Sequence, residues 1–220
     1  MIEKIQDASP AQLLEVGFSG AYQAQVEYHA NWRVVQRRLE EIRGDGIAHD
    51  AGDGDVYFDL LLRQMEDEQA AYIRMTGEPS HPHSRTRMQI QLTRYWIVSV
   101  GEMLRATRNK TTEGSNLRKS MTVLVDRIGA VRMMLAKQDV QIHQAARPDT
   151  ILSAVMVEGS DGRCDLSCER VSPPNSYQVR PIVNAENGSV CFPVYDPHGD
   201  ILRVDDRRAI SDLILSEFSE

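Results

Sequence analysis

Arg43 and His49 lie in the run Ile42-Arg43-Gly44-Asp45-Gly46-Ile47-Ala48-His49-Asp50, an arginine and a histidine six residues apart. A guanidinium pairs with anions, and an imidazole that titrates near neutrality can accept or donate a proton. The competing reading of the same residues is a helix end followed by a loop. Cys164, Cys168, Cys191 and His198 are the residue types of a Cys3His zinc site. However, residues four apart on a strand are separated by roughly 13 Å, too far to share one tetrahedral ion. They read instead as strand cysteines, and no metal or cofactor is expected. Asp45, Asp50, Asp53 and Asp55 do not follow the spacing of an EF-hand, so Gly44 to Asp55 reads as a mobile acidic loop. His81 and His83 have no third ligand beside them. The chain lacks the two Glu-x-x-His pairs that a di-iron core needs, and it has no Gly-x-Ser-x-Gly elbow, no phosphate-binding loop and no Gly-x-Gly-x-x-Gly turn.

Arg43-x5-His49 resembles the Arg-x4–6-His motif of the HEPN family, helical bundles that often dimerise and many of which cut RNA without a metal. The likeness covers that motif and the helical layout. The family's Asn after the arginine is Gly44 here, and the family's motif opens a late helix rather than following the first. The resemblance implies that Arg43 binds the phosphate and His49 transfers the proton. A second likeness lies in Val190 to Val204, which is similar to the closing hairpin of GAF-type sensor domains and implies a ligand-sensing sheet.

Apolar residues at Leu14, Phe18, Ala21, Tyr28, Trp32, Val35, Leu39 and Ile42 follow a 4-3-4-3 spacing broken at Gln25, which predicts one helix from Pro10 to Arg43. Ser9 caps it and Gly44 ends it. A second helix is expected over Val56 to Met75, capped by Asp55 and buried through Phe58, Leu61, Leu62, Met65, Tyr72 and Ile73. A third is expected over Arg87 to Asn109, apolar apart from one polar stripe that includes the ion pair Glu102–Arg105. A fourth is expected after the loop Lys110 to Ser115 and as far as Ala145, with Leu117, Met121, Leu124, Ile128, Val131, Leu135 and Ile142 as its seam, broken at Gln138. Beyond Pro148 the period becomes two, predicting strands at 151–157, 163–171, 177–183, 189–195 and 201–204, with Asp161-Gly162 and Asn187-Gly188 as turns. Asp205 or Asp206 caps a last helix to Phe218. Arg207 and Arg208 then stand at the positive end of its dipole, with Asp205, Asp206 and Asp212 expected to neutralise them.

The predicted fold is α+β: a helical bundle over residues 1–147, then a small antiparallel sheet and terminal helix over 148–220, packed on the bundle. The 220 residues carry 25 Lys plus Arg against 32 Asp plus Glu, and the net charge of −7 repels polyanions. There is no 18-residue apolar run and no secretory signal, and the three cysteines are an odd number. A cytoplasmic setting without membrane contact is expected from these features. The favoured function is non-enzymatic binding or regulation by a homodimer formed through helices, with Leu13 and Val16 as exposed flanks and Gln25 setting register. The alternatives are a HEPN-like ribonuclease using Arg43 and His49, with RNA as its partner, and a sensor built on the C-terminal sheet.

Overall fold

The protein is described by a computed structural model over residues 9–44, 50–78, 83–136, 181–196 and 201–218, and by its backbone over 151–158 and 164–171. The fold is α+β. Its elements in order are α1 (Pro10–Ala24), α2 (Val26–Arg43), α3 (Asp50–Thr76), α4 (His83–Arg108) and α5 (Asn116–Ala136). There follow β1 (Ile151–Glu158), β2 (Cys164–Val171), β3 (Ile182–Val183), β4 (Val190–Asp196), β5 (Ile201–Asp206) and α6 (Arg207–Phe218).

The single first helix of the sequence reading is two helices. Ser9 closes a capping box with Gln12 and Pro10 opens α1, but at Gln25 the backbone turns to φ −122°, ψ 32° and α2 begins. The register of the seam survives the bend: Trp32, Val35 and Leu39 are buried, as are Met121, Leu124, Ile128 and Val131 along α5. Gln25 is also buried and donates to Asp67 Oδ2 at 2.9 Å. Its polar group therefore has a partner within the chain, and a register role between two chains is not where it is spent. Leu14, on the same seam, is 60% exposed because the N-terminal turns of α1 lie at the edge of the molecule.

The acidic segment is also corrected. Asp50 to Asp55 is helical and forms the start of α3, where carboxylates complement the helix dipole, while 45–49 lies outside the described residues. Asp55 is therefore inside the helix, buried, and not its cap. Tyr95, outside the polar stripe expected on the third helix, is nevertheless 73% exposed.

The strands form two antiparallel ladders, β1–β2 and β3–β4–β5, where one sheet of four or five was expected. β1 pairs with β2 from Ile151↔Val171 to Glu158↔Cys164. β4 pairs with β5 from Cys191↔Asp206 to Asp196↔Ile201, and residues 197–200 between them lie outside the described residues, as does Asp161-Gly162. β3 reaches only Val190 and Cys191, so Pro193 sits beyond that ladder, where its missing N–H costs no bond to β3. Val190, Phe192 and Val194 of β4, with Ile210, Ile214 and Phe218 of α6, join the core cluster of the helices. Among the described residues, no helix is long and apolar enough to cross a membrane.

The β3–β4 connection is built differently from the expected two-residue turn. Asn184 and Ser189 pair through Asn184 N to Ser189 O (2.8 Å), leaving a four-residue loop that ends in Gly188 at φ +70°. Asp206 holds this loop by accepting from Asn184 Nδ2 (3.2 Å) and Asn187 Nδ2 (3.0 Å). Gly188 is pressed onto α3: a Cβ there would lie 2.0 Å from the Glu66 carbonyl oxygen, while Gln89 of α4 donates to the Gly188 carbonyl at 2.8 Å. Substitution meets both a backbone clash and an unfavourable φ. Gly188→Ala is expected to cost on the order of 3 kcal/mol or more, lowering Tm by roughly 10 °C. Thermal denaturation of the variant checks this, and an unchanged Tm contradicts the close approach.

Candidate functional site

The most concentrated polar chemistry in the described structure lies inside it, between α3 and α6. Asp59, Arg63 and Glu66 recur at spacings of four and three and so share a stripe of α3 that faces inward, and all three are fully buried. Arg207, at the first position of α6, is equally buried and ion-pairs with both Asp59 and Glu66. Its Nε donates to Glu66 Oε1 at 2.8 Å, a forked arrangement suited to a planar guanidinium. Arg63 Nε donates to Asp59 Oδ2 at 2.8 Å, and its Nη2 reaches Ser211 Oγ (2.7 Å) and Asp212 Oδ1 (2.6 Å). The Trp32 indole adds a third donor to Asp59 at 2.8 Å. Aromatic faces complete the enclosure, with Tyr28 3.9 Å from the Arg63 guanidinium carbon and Trp96 5.2 Å from that of Arg207. At the margin, Arg208 Nη1 donates to Asp67 Oδ1 at 2.6 Å.

Electrostatics follow from this packing. Burial alone raises the Asp59 carboxyl, but Arg207 and Arg63 more than reverse it and hold the group below the usual carboxylate range. At Glu66 burial prevails over the same Arg207, and its carboxyl is raised. Burial disfavours the Arg207 cation, which Glu66 and Asp59 outweigh, so its proton is held more tightly than usual. Two buried cations thus face two buried anions, with Asp212 as a third, half-exposed anion beside Arg63. Such a set can fix the position of α6 on α3; it has no accessible face on which a substrate could be turned over.

The direct partners of Arg207 and Arg208 are therefore Asp59, Glu66 and Asp67 of α3, and of the acids of their own segment Asp206 adds only a smaller Coulomb attraction to Arg207. Asp205 pairs instead with Arg127 (2.9 Å) and Arg203 (2.8 Å), Asp206 caps α6 by accepting from Ala209 N (3.1 Å), and Asp212 turns to Arg63. Sequence reasoning passed over Asp59, Arg63 and Glu66 because charges are ordinarily counted to the solvent face. The available signal was their shared helical stripe, together with two arginines at a helix start.

Of the residues proposed for phosphodiester chemistry, Arg43 is the last residue of α2 and half-buried, and Gly44 follows at φ 67°, its N–H donating to Glu40 O at 2.9 Å. His49 lies outside the described residues, so the pair is not brought together by anything described. Cys164 and Cys168 stand in β2 opposite Glu158 and Ala154. Cys191 is buried in β4; burial, with the Asp206 carboxylate beside it, pushes its thiol far up and away from thiolate formation. Among the described residues, no three His, Cys, Asp or Glu side chains converge as a metal site requires. Glu102 and Arg105 do form the expected ion pair, at 2.5 Å.

At the surface, α1 exposes Leu13 (46%), Leu14 (60%) and Val16 (69%), and a shallow groove of about 370 Å³ along it is lined by Glu15, Val16, Ser19, Gly20 and Gln23. Beside it, Phe18 makes edge-on ring contacts with Tyr57 and Phe58 of α3, and Phe58 in turn meets Tyr95 of α4. No family model, curated protein or solved structure matches the chain.

Two outcomes are expected of the buried groups. Replacing Arg207 by Met leaves Asp59 and Glu66 buried without their shared cation, at a cost of about 3–5 kcal/mol. Chemical denaturation reads this loss, and a Met variant as stable as the wild type contradicts the network. Asp55 behaves oppositely. Its backbone carbonyl accepts from Trp96 Nε1 at 3.1 Å and its side chain bonds Ser99, but burial without a facing cation raises its carboxyl to about 6. A raised carboxyl favours folding while protonated. Its contribution is complete below the unfolded pKa near 4 and is lost as pH climbs through 6, a penalty of about 3 kcal/mol at pH 8. Asp55→Asn should therefore melt above the wild type at pH 8 and close to it at pH 4. A variant that melts lower at pH 8 refutes this.

Proposed function

We propose that this chain is a non-enzymatic cytoplasmic binding or regulatory protein that acts through helix-mediated association, with a two-fold homodimer through α1 as its working form. The observation that carries the reading is the character of α1: Glu15 is its one charged residue, and Leu13, Leu14 and Val16 stand in solvent. Leu13, Val16 and Gly20 are exposed and lie roughly 80–140° around the helix from buried Ala21, so they flank the face that Ala21 buries. Large apolar side chains cluster toward the start of this exposed surface, and small ones, Gly20 and Ala24, toward its end. Antiparallel pairing of two copies sets large against small, keeps the two Glu15 carboxylates apart and opposes the helix dipoles. A closed two-fold contact is also the simplest way to cover such a patch. The net charge of −7 supports protein association over RNA binding, as does the consumption of Asp59, Arg63, Glu66 and Arg207 in internal pairs.

Light scattering at micromolar concentration should return twice the chain mass of 24.8 kDa. Val16→Glu should reduce it to the monomer with little change in Tm, since Val16 is 69% exposed. A wild-type mass of one chain, unchanged on tenfold concentration, overturns the dimer. Degradation of RNA by the purified protein in EDTA, abolished in His49→Ala, overturns the non-enzymatic reading in favour of the HEPN-like one.

A further inference from the structure

We draw no further inference here: the strongest candidate, the surface run of aromatic rings from Tyr57 through Phe18 and Phe58 to Tyr95 across α1, α3 and α4, is an unpartnered apolar face, and nothing in the structure shows what covers it.

Discussion

A guanidinium cannot be taken out of water without a counter-charge at hydrogen-bonding distance, and the placement of Arg207 turns that requirement into a rule for assembling the chain. Its partners Asp59 and Glu66 lie more than 140 residues earlier, on α3. Any seating of α6 displaced by a turn would strand the buried Arg207 cation and the Glu66 carboxylate and leave Asp59 to Arg63 and Trp32 alone. Ion pairs of this kind return little net stability compared with a well-packed apolar isostere, because desolvation offsets most of the Coulomb attraction. Their effect is on position. Ile210, Ile214 and Phe218 supply the apolar burial that holds α6 down; Arg207 dictates where they land.

The same junction explains how the sheet is tied to the helices. Asp205, Asp206, Arg207 and Arg208 are consecutive, and each leaves in a different direction: to Arg127 of α5, to the 184–189 loop, to Asp59 and Glu66, and to Asp67. Asp67 also receives Gln25 from the bend between α1 and α2. One short segment therefore reaches α3, α5, the β3–β4 loop and, through Asp67, the first helical pair. Gly188 adds a steric condition, since its loop closes against the α3 backbone beside Glu66. Charge pairing and close backbone approach converge on the same turn of α3.

What periodicity can report, the sequence reported well. The seams of α2 and α5, the Ser9 and Asp206 caps and the strand runs at β1, β2 and β4 all follow from spacing and cap chemistry alone. Three features escaped for physical reasons. Gln25 interrupts a seam without ending helical hydrogen bonding, since His29 N still reaches Gln25 O, so the bend has no signature beyond one polar residue. Asp50 to Asp55 looks like a loop by composition, yet carboxylates at a helix N-terminus are favourable. The stripe of Asp59, Arg63 and Glu66 is invisible to any reading that assigns charges to water, because their burial depends on a cation far along the chain. Arg43 and His49 were legible only as a motif, and a motif specifies residue types, not a distance.

An interior whose charges are committed to one another constrains what such a protein can offer to others. Asp59, Glu66 and Arg207 bind one another and Trp32, with no approach for solvent. Chemistry at these groups would first require breaking the contacts that seat α6. Asp55 is the exception among the buried carboxylates of the described residues, being raised by burial and facing no cation, but its side chain bonds Ser99 of α4. The surface of α1 has the opposite character: apolar, free of charge except at Glu15, and already ordered as helix before any partner arrives. Pairing there costs little further backbone ordering and removes apolar area from water at about 25 cal/mol per Å². Internal charges committed to assembly, beside apolar area on α1 that is not, are the physical ground of the association proposed above.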